Sequence, residues 1–566
     1  MSRVRRRKPV QRYVPVGYLA IAIALAVLLL PTALRPPPDQ QNTSSAFSPD
    51  APPDDTPAES FLASIRRASS STAGGAPGER VEVIEVLAPE ERRAARGRCY
   101  GDPPRQTESL YSALCVPAWT GDDNGGATWQ GVTKDEIRLA TFVGLGDEVQ
   151  EGRLEREFQP DDAGVIRDLK VWQKYFNDRF ELYGRYLQFY VIQMSSTDED
   201  LGRAAVADAD DNYKVFGAIG EGALPSAAAT AEAIRREIVT WAIGQNPVSF
   251  YRDGHPYVYS FTMDSWQPRT MVGELACNQF VGKPPGLLNE EQDPLFDYNA
   301  PRVWGLLIYQ DEIRFGAADF VQREFAKCGA EFEYTHEFNL TDNQQAIADA
   351  MAKFKAEGVT TMVLGVDGLS PAAFSNNAER IAYYPEYISY TGLGTNEAGR
   401  LMQDNQANHA LALYENEMAR ADEDKDWFRA YKEVDPSGEP EPEFFRDLQQ
   451  LSGAIQHAGP KLTPSTFWQG LRTQPYRAPD PPWSIGGGYR DPDPKSPVHS
   501  LGDYTYEDYV SLSWYDNAAD DPESTSSGAW CHMFLGKRFR VGEMPTSLPW
   551  RDTDKCVYTV DRGQQG

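Results

Sequence analysis

Residues 303–328 read VWGLLIYQDEIRFGAADFVQREFAKC, a seven-residue apolar run followed by an amphipathic segment with helical spacing. A short apolar run bounded by polar positions is typical of a buried strand, and apolar residues three and four apart indicate a helix. The same alternation begins near Gly131 and starts again near Pro301. Because parallel strands need helical crossovers, we predict two consecutive α/β units.

The first unit is predicted to hold five strands, at residues 136–143, 186–192, 215–219, 238–243 and 257–261. Its helices are predicted over residues 163–180, 201–213 and 227–236. The first of these helices carries an apolar stripe, formed by Val165, Leu169, Trp172 and Phe176. Such a stripe indicates a helix with one buried face.

The second unit repeats the scheme. Strands are predicted at residues 303–309, 332–338, 360–364 and 387–390, and helices at 270–280, 316–328, 344–357 and 371–380. The chain is then expected to return to the first unit, through a strand at 411–414 and an amphipathic helix at 444–458. Thr463 is predicted to cap another helix, and strands within 504–516 and 530–534 are predicted to close the structure.

These patterns divide the chain into six parts. We predict a basic and apolar N-terminus at 1–34, a disordered Pro/Ser-rich stalk at 35–80, a cysteine-containing extension at 81–130, a first lobe at 131–262 plus 411–505, a second lobe at 263–410, and C-terminal strands and tail at 506–566. The stalk composition buries too little apolar surface to order a chain.

The N-terminus predicts export from the cytoplasm. Basic residues between Arg3 and Arg12 precede an apolar run from Val16 to Leu30, the order found in signal peptides and anchors. The stretch from Val14 to Leu34 is just long enough to cross a bilayer. Because the cleavage site is poorly specified, we favour an uncleaved membrane anchor over a cleaved signal, with the bulk of the chain outside the cytoplasm.

Charge and cysteine content agree with that location. The net charge of −28 argues against nucleic acid as a partner. Six cysteines in an exported chain indicate disulfides, although six allow 15 connectivities. Pairing sequence neighbours joins Cys99 to Cys115, Cys277 to Cys328 and Cys531 to Cys556. Zinc is the weaker alternative, because the sequence has no C-x-x-C pair.

Two stretches resemble one family. GVTKDEIRLATFV at residues 131–143 is similar to the opening of type I periplasmic binding proteins of the branched-chain amino-acid class. AYKEVDP at 430–436, with FFRDLQQLSGAIQHAGPKLTPSTFWQGL at 444–471, resembles the later helices of that family. The resemblance covers about 131–471. It implies an α/β fold of two lobes, joined by three hinge crossovers, that closes on a small ligand, usually for an ABC importer.

The resemblance also implies where a ligand is held. In this family, ligands meet loops at the carboxyl ends of parallel strands. The matching positions here are Glu221, Gly222, Ser226, Gly244, Gln245, Thr262, Asp264, Phe315, Asp367, Asn396 and Glu397. Ser226 has the alternative role of a helix cap, Phe315 of a core residue, and the last three of turn or cap residues.

Glu221 and Phe315 depart from the family pattern, since a hydroxyl residue and a tyrosine are usual at these positions. A carboxylate at Glu221 repels a ligand carboxylate. We therefore expect a cationic or neutral polar ligand, such as an amino acid, an amide or a similar molecule.

Three functions remain open. The first is an extracytoplasmic solute-binding protein, with an ABC permease as possible partner and no cofactor. The second is a membrane-tethered sensor or scaffold that kept the fold without transport. The third is a cell-wall enzyme, for which the sequence offers no G-x-S-x-G, H-E-x-x-H or P-loop motif, and its six histidines have no metal-ligand spacing.

Overall fold

The computed structural model describes most of the chain from residue 81 onward. The described residues are 81–83, 99–144, 162–194, 199–219, 227–241, 246–286, 299–310, 316–338, 344–366, 370–391, 396–440, 442, 444–493, 503–521 and 527–558. The predicted stalk at 35–80 therefore lies outside the described residues. Within the described parts, no helix has both the length and the apolar character needed to span a bilayer; the predicted span at 14–34 lies outside them.

The first lobe is built on a six-stranded sheet with the strand order β1-β3-β2-β4-β5-β6. The strands are β1 (Val81–Val83), β2 (Glu136–Gly144), β3 (Tyr186–Met194), β4 (Gly217–Ala218), β5 (Val239–Trp241) and β6 (Val258–Tyr259). All neighbours pair in parallel except β1, which runs antiparallel to β3. The helices that follow the strands are α1 (Asp162–Arg179), α2 (Glu199–Tyr213), α3 (Ala227–Arg235) and α4 (Val248–Gly254).

The second lobe is built on a nine-stranded sheet. Its strands are β7 (Trp304–Tyr309), β8 (Phe332–Phe338), β9 (Thr361–Gly365), β10 (Glu386–Ser389), β11 (Ala410–Tyr414), β12 (Val510–Asp520), β13 (Ser527–Met533), β14 (Arg538–Phe539) and β15 (Cys556–Val557). Strands β7 to β11 pair in parallel, whereas β12 to β15 pair antiparallel. Its helices are α5 (Trp266–Gln279), α6 (Ala317–Ala326), α7 (Gln344–Ala356), α8 (Ser370–Arg380), α9 (Asn396–Leu401) and α10 (Asp404–Ala407).

The chain returns to the first lobe later than expected. The strand at 411–414 was assigned above to the first lobe, but β11 pairs with β10 on one side and β12 on the other, within the second sheet. The strands of 506–566 extend that same sheet rather than forming a separate part. The return begins after Tyr414, with α11 (Asp426–Val434), α12 (Phe445–Ala458) and α13 (Pro464–Thr473).

Aromatic packing fixes these returning helices on the first lobe. The ring centroid of Trp172 in α1 lies 5.3 Å from that of Tyr431 in α11 and 5.1 Å from that of Phe445 in α12. The predicted apolar stripe of α1 is buried as a whole, with Trp172 and Phe176 fully inaccessible to solvent. Aromatic pairs at such distances contribute about 0.5–1.5 kcal/mol each beyond the area they bury.

The six cysteines are joined as three pairs of sequence neighbours. Cys99–Cys115 closes a loop within the N-terminal extension (81–130). Cys277–Cys328 joins α5 to the residues after α6, and Cys531–Cys556 joins β13 to β15. The extension is held on the first lobe by Arg185, whose guanidinium donates to the carbonyls of Asn124 (2.6 Å) and Pro460 (2.8 Å).

Candidate functional site

In the part of the chain that the structure describes, three segments connect the two lobes. The first crossover runs from β6 to α5 through residues 260–265, the second from β11 to α11 through 415–425, and the third from the first lobe to β12 through 503–509. A two-lobed protein that closes on a ligand bends at such connections.

The first and third crossovers run side by side. The amide of Tyr506 donates to the carbonyl of Ser260 (3.1 Å), and the amide of Glu507 donates to that of Phe261 (2.9 Å). The segment 486–488 lies on the other side, where Gly488 donates to the Tyr506 carbonyl (2.7 Å). We call these three paired segments, 260–261, 486–488 and 505–508, the crossover joint.

Arg538 ties the second crossover to the third. Its buried guanidinium donates to the carbonyls of Glu415 (2.9 Å) and Asn416 in the second crossover, and to that of Tyr509 (3.4 Å) in the third. Side-chain nitrogen atoms thus replace the backbone donors that these irregular segments lack.

Two of the predicted ligand residues lie in the first crossover with described side chains. The Thr262 hydroxyl is 3.1 Å from that of Ser260. Asp264 Oδ1 accepts the amides of Trp266 (2.7 Å) and Gln267 (3.2 Å), so this oxygen caps α5. A capping bond of this kind competes with the ligand contact expected of Asp264.

The other nine predicted residues have no described side chain. Glu221, Gly222, Ser226, Gly244, Gln245, Phe315 and Asp367 lie outside the described residues, and Asn396 and Glu397 are described only as the first backbone positions of α9. In the sequence, these positions come after the carboxyl ends of β4, β5, β7, β9 and β10. Ligands of open α/β sheets bind at those ends.

Threonine hydroxyls brace neighbouring strand ends in both lobes. Thr141 in β2 donates to the carbonyl of Ile219 after β4 (2.7 Å), and Thr391 after β10 donates to that of Val366 after β9 (2.5 Å). The two sheets therefore present their carboxyl ends with the same kind of support, which holds the starting points of the following loops.

Arg269 and Tyr390 form a buried polar pair that sequence reasoning missed. Both side chains are buried. Burial raises the pKa of the Tyr390 hydroxyl, and the nearby Arg269 guanidinium opposes that rise. A Cβ on Gly365 would come 2.1 Å from the Tyr390 hydroxyl oxygen, so glycine makes room for it at the end of β9. Neither residue has a local sequence signal, because their proximity depends on how α5 packs on β10.

An acidic cluster, also missed, surrounds the crossover joint. Its members are Asp264, Asp491, Asp503 and Asp508, each no more than 6% exposed. Asp491 contacts Arg540 (Oδ2 to Nη1, 3.2 Å), and Asp503 accepts the amide of Asp491 through Oδ2. Both Asp508 oxygens and Asp503 Oδ1 are buried without a hydrogen bond of normal geometry.

Burial sets the protonation of this cluster. Burial raises the pKa of Asp508 well above its ordinary value, and the charge of Asp503 and, to a smaller extent, that of Asp491 raise it further, while hydrogen bonding to Tyr476 and Gln267 partly opposes the rise. Burial likewise raises the pKa of Asp503, an effect that the Asp491 amide and Arg472 only partly offset. Within the described residues, no three acidic, histidine or cysteine side chains are placed to hold a metal ion.

Comparison with known proteins finds likeness in structure but not in sequence. No protein-family model and no curated protein matches the chain. A periplasmic binding protein from Burkholderia mallei shares 10% identity over 75% of this chain and 99% of its own, with a TM-score of 0.50.

Two further solved structures have lower TM-scores. A solute-binding protein of an ABC transporter from Rhodopseudomonas palustris, in complex with 3,4-dihydroxybenzoic acid, shares 13% identity over 73% of this chain and 99% of its own, with a TM-score of 0.48. An ABC transporter substrate-binding protein from Desulfitobacterium hafniense in complex with Leu shares 15% identity over 70% and 99%, with a TM-score of 0.43. Taken with the Burkholderia mallei structure, the strand order and crossovers show that this chain has the α/β fold of two-lobed periplasmic binding proteins.

Proposed function

We propose that the protein is an extracytoplasmic solute-binding protein, which captures a small polar ligand between its lobes by bending at the crossovers and without covalent chemistry. The observation that carries this proposal is the pair of sheets, each with a parallel core of strands, that are joined by three crossovers, two of which run side by side. Such an arrangement lets two rigid lobes move about a narrow connection.

The ligand class follows from the sequence positions after the strand ends. Glu221 introduces an acid where a ligand carboxylate is received in the resembling family, and Asp367 and Glu397 are candidates in the second lobe. If these acids face one ligand, a cationic or neutral hydrogen-bond donor satisfies them better than a simple anion, because unpaired buried carboxylates are costly. The panel should nevertheless include leucine and hydroxybenzoates, the ligand classes of structures with a similar fold.

A thermal-shift and calorimetric screen of the full chain tests the proposal. The panel contains amino acids, amides, amines, sugars, peptides and hydroxybenzoates. A ligand present at a hundred times its Kd stabilises the folded state by about 2.7 kcal/mol. Failure of every class to stabilise the protein would count against solute binding.

Substitution at Glu221 tests the ligand polarity. Glu221→Gln should weaken binding of a cationic ligand at least severalfold, whereas Glu331→Gln, at an exposed position of the second lobe, should leave the Kd unchanged. Tight binding of a plain aliphatic amino acid that is equal in the Glu221→Gln variant would place Glu221 outside the site.

The membrane anchor and the partner belong to the same proposal. We infer that 14–34 tethers the protein, and N-terminal sequencing of material from the native host would reveal a mature start near Leu34 if it does not. Transport requires an ABC permease as partner. Binding of a ligand without co-purification of a permease, together with an isolated gene, would favour the alternative of a tethered sensor or scaffold. Two observations support that alternative: no cysteine for bacterial lipid attachment directly follows the apolar run that ends at Leu30, and Glu221 and Phe315 depart from the family pattern.

A further inference from the structure

The acidic cluster lies where elements of both lobes meet the crossover joint. Asp503 and Asp508 belong to the third crossover, and Asp491 to the segment leading to it. Asp264 lies in the first crossover, where it accepts the amide of the first residue of α5 in the second lobe, and Arg540 follows β14 of the same lobe. A change of charge in this cluster therefore acts on the connection between the lobes.

Among the described residues, few cations oppose the cluster. Arg540 lies 3.2 Å from Asp491 but is shared with Asp493 (3.7 Å) and Glu543 (3.1 Å). From α13, Arg472 lowers the pKa of Asp503 through the electrostatic effect of its charge. The remaining groups that face Asp508 are neutral at ordinary pH, namely Tyr476 and Gln267.

The charged residues next in sequence to Asp508 and in the adjoining strand β14, all of them described, do not pair with it. Glu507, the residue before Asp508, acts electrostatically on Arg538. Arg538 itself is engaged with the carbonyls of the second and third crossovers. A buried carboxylate that no cation pairs is far less costly when it carries a proton.

We propose that the acidic cluster is a proton-operated hinge device, in which Asp503 and Asp508 hold protons while the crossover joint is packed, and in which their ionisation loosens the joint. Water must reach the ionised oxygens, and because Gln267 of α5 faces Asp508, we expect α5 to separate from the third crossover. The packed joint, and with it the rigid connection of the lobes, is favoured in acidic surroundings.

The sign of the pH dependence follows from linkage. In the unfolded chain, the carboxyls of Asp503 and Asp508 ionise near their ordinary pKa of 3.8, whereas in the folded protein they keep their protons to higher pH. Their contribution to stability is thus complete below that ordinary value and is lost as the pH rises through the raised values of the folded state. His532 and His409, whose pKa values burial lowers, act in the opposite direction at acidic pH, but equally in every variant compared below.

The test compares the wild-type chain with Asp508→Asn, Asp503→Asn and the control Asp122→Asn, which alters an exposed position. Denaturant unfolding is measured from about pH 5 to about pH 9, spanning the range above the ordinary aspartate value. Unfolding of the wild type should release more protons than unfolding of Asp508→Asn, with a difference approaching about one proton per molecule. Asp122→Asn should follow the wild type.

Asp503→Asn provides the second variant if Asp508→Asn does not fold. Asp503 has a left-handed backbone (φ 51°), which asparagine tolerates, and an amide oxygen can still accept the Asp491 amide. Equal pH dependence in the wild type and in the folded aspartate variants would overturn the proposal.

Hydrogen exchange separates a hinge device from buried acids without a mechanical role. After correction for intrinsic rates, amides of residues 260–261 and 505–508 should exchange faster at pH 8.5 than at pH 6 in the wild type, and less so in the asparagine variants. A pH-dependent stability without any pH-dependent exchange at the joint would also overturn it. Neither readout needs a ligand, so failure here leaves the proposed solute binding untouched.

Discussion

A buried ion pair anchors the second sheet at the residue scale. Arg302 Nε and Nη2 lie 2.6 and 3.0 Å from the two carboxylate oxygens of Glu386, and the Thr361 hydroxyl donates to the same carboxylate (2.5 Å). The paired side chains are 3% and 0% exposed. Buried pairs of this kind contribute little net stability as a whole, but each partner depends strongly on the other.

Replacing Arg302 with Met should therefore leave the Glu386 carboxylate buried and unpaired. We expect the free energy of unfolding to fall by about 3–5 kcal/mol, measured by denaturant titration. The matched control is Arg203→Met, because the side chains of the Arg203–Asp200 pair (2.7 Å) are 26% and 66% exposed, and its loss should change stability by no more than about 0.5 kcal/mol. Equal losses in the two variants would contradict the buried role of Arg302.

His532 should make the protein sensitive to acid. Its Nδ1 lies 2.8 Å from the Ser513 hydroxyl and 3.0 Å from that of Ser511, and burial lowers its pKa to about 3. The unfolded chain takes up this proton near pH 6.5, so stability is lost as the pH falls from there toward 3.

His532→Asn keeps an oxygen that can accept the serine hydroxyls but cannot be protonated. At pH 5 the variant should escape about 2 kcal/mol of the acid destabilisation that the wild type suffers relative to pH 7.5. Denaturant unfolding at the two pH values measures the difference. An identical acid loss in both proteins would show that other groups control acid unfolding.

At the scale of elements, glycine decides how closely the crossover joint can pack. Gly487 has φ 145°, and a Cβ there would lie 1.7 Å from the Tyr506 carbonyl oxygen. Its amide and carbonyl also exchange 2.8 Å hydrogen bonds with Arg477. The strand pairing leaves the segment no freedom to move away from the added atom.

Gly487→Ala should thus destabilise the protein by more than about 3 kcal/mol. Gly282→Ala is the control, because Gly282 also has a positive φ (74°) but open space around the position of a Cβ. That change should cost about 1–2 kcal/mol for backbone strain alone. Thermal or chemical unfolding compares the two, and a similar cost would exclude the close contact as the cause.

Sequence patterns predicted the position of individual helices and strands better than they predicted which strands pair with one another. The helix expected at 163–180 is α1 (Asp162–Arg179), and its apolar stripe is buried as predicted. By contrast, the strand at 411–414 was placed in the wrong lobe, because an apolar run of five residues fits either sheet. Its position in the second sheet depends on pairing with β12, about a hundred residues later, which no local pattern reports.

For the whole molecule, three residues of the acidic cluster were the hardest to predict. Asp491, Asp503 and Asp508 occur in acidic, proline-rich sequence that is typical of solvated loops. They are buried because α5 and the segment after β14 cover them, which is a consequence of the long-range closure of the fold. The alternation of strands and helices along the chain was predictable from repeated local patterns, and the existence of crossovers from the resemblance at 131–143 and 430–471.

The same closure makes Arg538 a residue with influence over the whole molecule. Its guanidinium donates hydrogen bonds to carbonyls of both the second and the third crossover. Removing the guanidinium deprives these carbonyls of a donor and weakens two connections between the lobes. Arg538→Met should speed amide exchange at residues 260–261 and 505–509 roughly tenfold, given the worth of a hydrogen bond from a charged donor. Amides of β2 and β7, inside the lobes, should change less.

Arg551→Met is the matched control, because Arg551 also donates to a backbone carbonyl, that of Asn408 (2.8 Å), but within the second lobe. It should leave exchange at the crossovers unchanged. Small-angle scattering adds a second measurement, since a looser connection widens the distribution of lobe separations in the Arg538→Met protein and not in the control. If both variants accelerate exchange equally throughout the chain, Arg538 supports general stability, and the three crossovers bend without depending on it.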